Sequence, residues 1–256
     1  MALTFDGHRV VRSVFRSELL RESNVSTLEA YMADRLPYFY KSPAEIAALF
    51  EEGFFLDAVG RVLLKLPLKE SFRESHFGEI IAGVYGEEAL GLKLLYSKLR
   101  LLTAENANAN KMDLLFFRPG TDPTEFVFAE VKSSMKTEAD GLPAGHEDSC
   151  FSNLFASLNR YRQRDLEFDL ALIQERMEVV DAREAEVIRR SLRPHAQRKI
   201  EYAGFCVIDR STSDDDEAKV LATRKNEKAF DVDLLCVAEL PEVVAATFEK
   251  LSLGAQ

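Results

Sequence analysis

The chain has 256 residues, enough for one large domain or two small ones, and its 46% hydrophobic and 30% charged composition is that of a folded globular protein rather than a disordered one. A net charge of −10 argues against a protein that coats nucleic acid by general basicity, while leaving room for a carboxylate-lined metal site. Three widely spaced cysteines with no CxxC pair exclude a zinc ribbon and a thioredoxin motif, and they suit reduced thiols in a cytoplasmic protein. The N-terminus lacks the apolar stretch of a signal peptide, and no apolar run is long enough to span a membrane, so no membrane association is expected.

Along the chain, a helical stretch is expected over about 26–65, capped by Ser26 or Thr27 and interrupted by Pro37 and Pro43. A sharper helix follows at 72–90, with Phe77, Ile80, Ile81 and Val84 on one face and Glu79 beside it. Leu92–Leu102 reads as extended, and Met112–Arg118 as a short apolar strand. The turn cluster Pro119-Gly120-Thr121-Asp122-Pro123 joins it to a second strand, Glu125–Ser134. Helices are expected at Phe151–Tyr161 and Leu170–Leu192, strands at Tyr202–Asp209 and Phe230–Leu240, and a closing helix at Glu242–Leu251. Ala104–Asn110, Glu138–Asp148 and Ser211–Glu217 read as loops. The order suggests an α/β fold, a central mixed sheet flanked by helices. Residues 1–70 read as a mostly helical accessory region and 71–256 as the core.

The chemistry concentrates on Asp113 and on Glu130-Val131-Lys132 of the next strand. Residues 130 and 132 point to the same side of their strand, and Asp113 on the neighbouring strand can reach that side. Two carboxylates and an ammonium then converge at a sheet edge, with Glu79 as a third acid. This set suits metal-assisted phosphodiester hydrolysis, because Mg²⁺ prefers carboxylate and water oxygens. Asp113 and Glu130 would be ligands, the Val131 carbonyl a possible third, and Glu79 would complete the shell. Lys132 would hold or deprotonate the attacking water and stabilise charge in the transition state. Mn²⁺ is an alternative ion. A second acid-x-Lys sequence, Glu217–Lys219, lies in the acidic run Asp214-Asp215-Asp216-Glu217 and reads as a solvated loop. For Glu130–Lys132 the competing reading is a surface strand, and for Glu79 a carboxylate on a helix surface.

Asp113, Glu130 and Lys132, with Glu79 in the helical acidic position, resemble the PD-(D/E)xK nuclease superfamily. The proline of that name is absent, since Lys111-Met112 precede Asp113. Over about 70–256 the chain further resembles the HamA family. The carriers are Glu79-Ile80-Ile81, Leu94-Leu95-Tyr96-Ser97-Lys98-Leu99, Lys111-Met112-Asp113-Leu114-Leu115 and Phe128-Ala129-Glu130-Val131-Lys132-Ser133-Ser134. The resemblance implies a restriction-endonuclease-like core, a Mg²⁺-dependent DNA nuclease of the Hachiman bacterial antiviral defence system, and the superfamily 2 helicase HamB as partner. No G-x-x-x-x-G-K-[ST] sequence is present, so the ATP motor would be the partner. The alternative is a catalytically silent nuclease-like module that binds and regulates a helicase.

Of the segments 1–70, 71–150, 151–200 and 201–256, only 151–200 is net positive, with ten basic and eight acidic side chains. Arg160, Arg162 and Arg164 around Tyr161 are candidates for phosphate contact, as are Arg189, Arg190, Arg193, Arg198 and Lys199; a solvated helix face is the competing reading. Lys98 and Ser133 lie near the expected site and are further candidates for contact with nucleic acid. A surface lysine and a strand-end turn are the plainer alternatives.

Overall fold

The computed structural model describes residues 5–12, 15–20, 25–51, 60, 62–102, 112–136, 150–163, 170–171, 173–174, 182–212 and 230–253. It begins with two strands, β1 (Phe5–Arg12) and β2 (Phe15–Leu20). Three helices follow: α1 (Val25–Arg35), α2 (Pro37–Tyr40) and α3 (Pro43–Glu51). The long helix α4 (Glu70–Glu88) leads into β3 (Lys93–Ser97), a 3-10 turn at Lys98–Leu101, β4 (Leu114–Arg118) and β5 (Glu125–Ser134). Helices α5 (Cys150–Gln163) and α6 (Ala182–Ser191) precede β6 (Lys199–Asp209), β7 (Phe230–Val237) and α7 (Leu240–Leu253).

Five strands, in the order β7-β6-β5-β4-β3, form a mixed sheet flanked by helices; the β1-β2 hairpin extends it beyond β7 to seven strands. The β3-β4-β5 segment is an antiparallel meander, whereas β5, β6 and β7 run parallel. Parallel strands need crossovers, and α5 and α6 lie between β5 and β6 in the chain. One face of the sheet packs on α4 through Leu114, Phe116, Val127, Ala129, Val131, Ala203 and Phe205. The opposite face packs Cys206, Ile208, Val232 and Leu234 on α5, and Leu115, Phe117, Phe126 and Phe128 on α6. Burial on both faces is why 203–208 of β6 and 234–237 of β7 read as apolar runs without polar alternation.

Helix α4 is the centre of the molecule. Every residue from His76 to Gly86 is buried, between the sheet on one side and α1, α2 and α7 on the other. Gly91, at φ 64°, turns the chain out of the helix, and the Leu92 N–H bonds back to the Gly86 carbonyl at 3.0 Å. At Gly78 the helix comes so close to β5 that an added Cβ would lie 2.8 Å from Ser133 Cβ.

Several boundaries differ from the sequence expectation. The helical character expected of 1–70 holds for 25–51, but 5–20 is a hairpin whose second strand pairs with β7 from Phe15↔Val232 to Leu19↔Cys236. The reason is a long-range partner, the open edge of β7, which local propensity does not report. The extended segment 92–102 is a five-residue strand followed by a 3-10 turn, in which Ser97 Oγ accepts from the Leu99 N–H at 3.3 Å. The strand expected to reach Leu240 stops at Val237, because the Leu240 N–H opens α7 and is taken by Asp209 Oδ2 at 2.9 Å. The loops at 104–110 and 138–148, residues 213–217, and parts of the helical stretch expected over 26–65 and of the helix expected at 170–192 lie outside the described residues.

Candidate active site

The β4–β5 pairing ends at Leu114↔Ala129, but β5 continues alongside β6 as far as Ser134↔Ile208. Residues 130–134 therefore overrun β4. The expected sheet edge is thus a local one, on a strand in the middle of the sheet. Asp113 sits in the bend just before β4, beside this overhang, and its Oδ2 accepts the Val131 N–H at 2.6 Å. Val131 meets Asp113 through its amide N–H.

Alternation along β5 sorts the remaining side chains. Val131 packs on the α4 side, and Ser133 Oγ donates to the Glu74 carbonyl of α4 at 3.1 Å. Ser133 is thus engaged with the helix and not turned toward the face that Lys132 presents. Glu130 and Lys132 share the other face with Phe126 and Phe128. Lys132 Nζ lies 2.7 Å from Glu130 Oε1 and its side chain is 31% exposed, so it is the most exposed side chain of the site.

Glu79 enters from α4. It is 1% exposed, as is Asp113, and Glu130 is 5% exposed. Lys98, at the end of β3, joins Glu79 to Asp113: its ammonium pairs with Asp113 Oδ1 and lies 2.9 Å from Glu79 Oε1. The structure therefore gives Lys98, expected as a nucleic-acid contact, an ion pair with each of these two acids. The signal for it lay in the β3–β4 register, which sets the Lys98 N–H on the Asp113 carbonyl at 2.9 Å.

The electrostatics follow from burial. Desolvation pushes the Glu79 carboxyl up to about 8; Asp113 and Glu130 push the same way, and Lys98 opposes them. Burial and then Asp113 raise Glu130, against the pull of Lys132. Burial disfavours the Lys98 ammonium, but Glu79 and Asp113 outweigh it and hold the proton on well above the ordinary lysine range. Among the described residues three buried carboxylate oxygens, both of Glu79 and Oε2 of Glu130, have no hydrogen bond of good geometry, Glu79 Oε1 meeting Lys98 only as an ion pair at 2.9 Å. Orphaned acceptors among mutually raised carboxylates are what a hard cation would satisfy. Among the described residues no three His, Cys, Asp or Glu side chains are gathered into a ready metal cage, but Mg²⁺ commonly takes only one or two protein carboxylates and completes its shell with water. The donor set fits that ion.

Arg160 and Arg162 lie on α5, and Arg164 lies outside the described residues. Arg189 and Arg190 end α6 in exposed positions, and Arg190 pairs loosely with Glu186 at 3.5 Å. Arg198 donates to the Arg193 carbonyl at 2.8 Å and Lys199 pairs with Glu125 at 3.6 Å, so both serve the fold. The acidic run 214–217 lies outside the described residues. Cys150, Cys206 and Cys236 are reduced thiols, and Cys206 and Cys236 are buried. No helix among the described residues is long and apolar enough to cross a membrane.

A family model, HamA, matches residues 4–251, nearly the whole chain, and the chain belongs to the HamA family. No curated protein matches it. Membership ties the chain to the Hachiman antiviral defence system.

Proposed function

We propose that this HamA-family chain is a Mg²⁺-dependent DNA nuclease of the PD-(D/E)xK type, working as the effector beside a superfamily 2 helicase, HamB. The observation that carries this reading is the overhang of β5: it gathers Asp113, Glu130 and Lys132 at one place, with Glu130 Oε2 buried and without a hydrogen-bond partner among the described residues. A bound Mg²⁺ or Mn²⁺ would neutralise the scissile phosphate and acidify a water.

The chain's own residues do the rest. Asp113 and Glu130 would hold the ion, with Glu79 as the third acid. The Val131 N–H fixes the orientation of Asp113. Lys132, anchored on Glu130 and partly exposed, donates to a phosphate oxygen as negative charge builds on it. A helicase partner would supply ATP hydrolysis and bring DNA to a chain whose net charge of −10 repels it.

The test uses plasmid DNA and a matched RNA with the purified chain, alone and with its helicase, in Mg²⁺ and in chelator. Glu130→Gln and Lys132→Met should keep the melting curve and lose DNA cleavage by about a hundredfold or more. Cleavage unchanged in both variants, or indifferent to the chelator, would remove the residue assignment. Loss of phage protection in vivo with Glu130→Gln separates an effector nuclease from a silent helicase-binding module.

A further inference from the structure

Lys98 is placed differently from a surface lysine. Its side chain is 17% exposed, and its backbone N–H is tied to the Asp113 carbonyl at 2.9 Å, which fixes where the side chain starts. From there the ammonium reaches Asp113 Oδ1 and, at 2.9 Å, Glu79 Oε1. These are two of the three acids assigned above to the cation. The third, Glu130, is served by another ammonium, Lys132, through Oε1 only.

A divalent ion and an ammonium seek the same carboxylate oxygens, and like charges repel strongly in a partly buried site. An oxygen that donates its lone pair to an ion cannot hold an ammonium hydrogen bond along the same direction. A lysine can give way, because its charge sits on a flexible four-carbon stem.

We propose that Lys98 is a built-in counter-ion that occupies Glu79 and Asp113 in the metal-free protein and competes with the divalent cation for them. The proposal rests on the metal-site reading above and assigns to that site a threshold for loading: the ion binds when its concentration suffices to displace the ammonium. Without the ion, Lys98 keeps two buried acids compensated and the end of β3 fastened to the bend before β4. With the ion, Lys98 is released toward the solvent-facing side of the site.

The test is Mn²⁺ binding by the full chain, followed by titration calorimetry and by thermal melting. Lys98→Met should bind Mn²⁺ about tenfold more tightly than the wild type or better, since one positive charge leaves the ion's immediate surroundings. Its metal-free form should melt lower, and Mn²⁺ should raise its melting temperature by more than it raises that of the wild type. A second pair covers the case in which Lys98→Met does not fold: Glu79→Gln alone against Glu79→Gln with Lys98→Gln, where an amide pair replaces the ion pair. The double variant should bind Mn²⁺ more tightly than the single one. Wild-type binding with equal or weaker affinity in Lys98→Met, or in the double variant relative to Glu79→Gln, overturns the competition and leaves the metal site standing. If neither the wild type nor any variant binds Mn²⁺, the metal site and the proposal fall together.

Discussion

Gly78 couples packing to the site, because it precedes Glu79 and lies where α4 touches β5. In Gly78→Ala the new Cβ would meet Ser133 Cβ at 2.8 Å and Ser133 Oγ at 2.9 Å. The hydroxyl can rotate away, but Ser133 Cβ is fixed to the strand backbone. Carbon atoms settle at no less than about 3.5 Å, so helix and strand must separate by roughly 0.7 Å. Overpacking of this kind costs about 1–3 kcal/mol, against a helix-propensity gain of about 1 kcal/mol for alanine. The net loss of stability should therefore be modest, about 1 kcal/mol. The effect on the site should be larger, since the shift carries Glu79 away from Asp113 and Glu130. A misplacement near 1 Å commonly costs about a hundredfold in rate. Urea denaturation would measure the first effect, and Mn²⁺ affinity with DNA cleavage the second. Ser133→Gly removes both clashing atoms and should restore metal binding in the double variant. The reasoning is refuted if Gly78→Ala binds Mn²⁺ and cleaves like the wild type, or if Ser133→Gly restores neither.

Two further outcomes test the frame around the site. Burial, reinforced by Lys98, pushes His76 down to about 4, and its Nδ1 lies 2.6 Å from the Tyr40 hydroxyl. The folded value lies below the unfolded value of about 6.5, so the contribution is present above pH 6.5 and is lost as pH falls toward 4. It amounts to about 3 kcal/mol. In urea melts the stability advantage of the wild type over His76→Gln should shrink across that window; parallel curves would exclude a buried neutral imidazole. Asp209 is 4% exposed and accepts from the Leu240 N–H, the Ser211 N–H and the Ser211 hydroxyl at 2.9, 2.9 and 2.6 Å. Asp209→Ala should cost about 2 kcal/mol and speed amide exchange at the start of α7, with a smaller loss in Asp209→Asn.

The meander was legible because its signals are local. Turn residues at 119–123 separate two apolar strands, and period-two alternation places Glu130 and Lys132 on one side. The existence of α4 was legible in the same way, but its complete burial was not. A helix flanked by solvent shows an apolar stripe, whereas α4 carries His76, Glu79 and three glycines within a stretch buried all round. Glu79 therefore read as a residue beside a face, although it is wholly enclosed. The N-terminal hairpin was missed because its partner strand, β7, lies more than 200 residues later in the chain. The pairing of Lys98 with Glu79 and Asp113 was missed because it depends on the β3–β4 register, set across a connection with no sequence signal for its geometry.

The faces of the sheet add one step to the functional reading. Lys132 stands opposite Cys206 in the β5–β6 ladder, and Cys206 belongs to the core that α5 covers. Glu130 and Lys132 therefore look toward the same face as α5 and α6, which belong to the net-positive segment that ends at residue 200. Glu79 reaches the site from the opposite face, within the apolar packing of α4. A phosphate backbone approaching along the α5–α6 side would meet Lys132 first and Glu79 last. Glu79, which burial pushes up to about 8, is also as deeply buried as Asp113 and more so than Glu130. That division suits an acid that completes a cation's shell from behind while Glu130 and Lys132 face the reacting phosphate. Under the proposed nuclease reading it would also let an acidic chain approach DNA: Glu79, Asp113 and Glu130 are buried, and Lys132 is the most exposed charged side chain of the site.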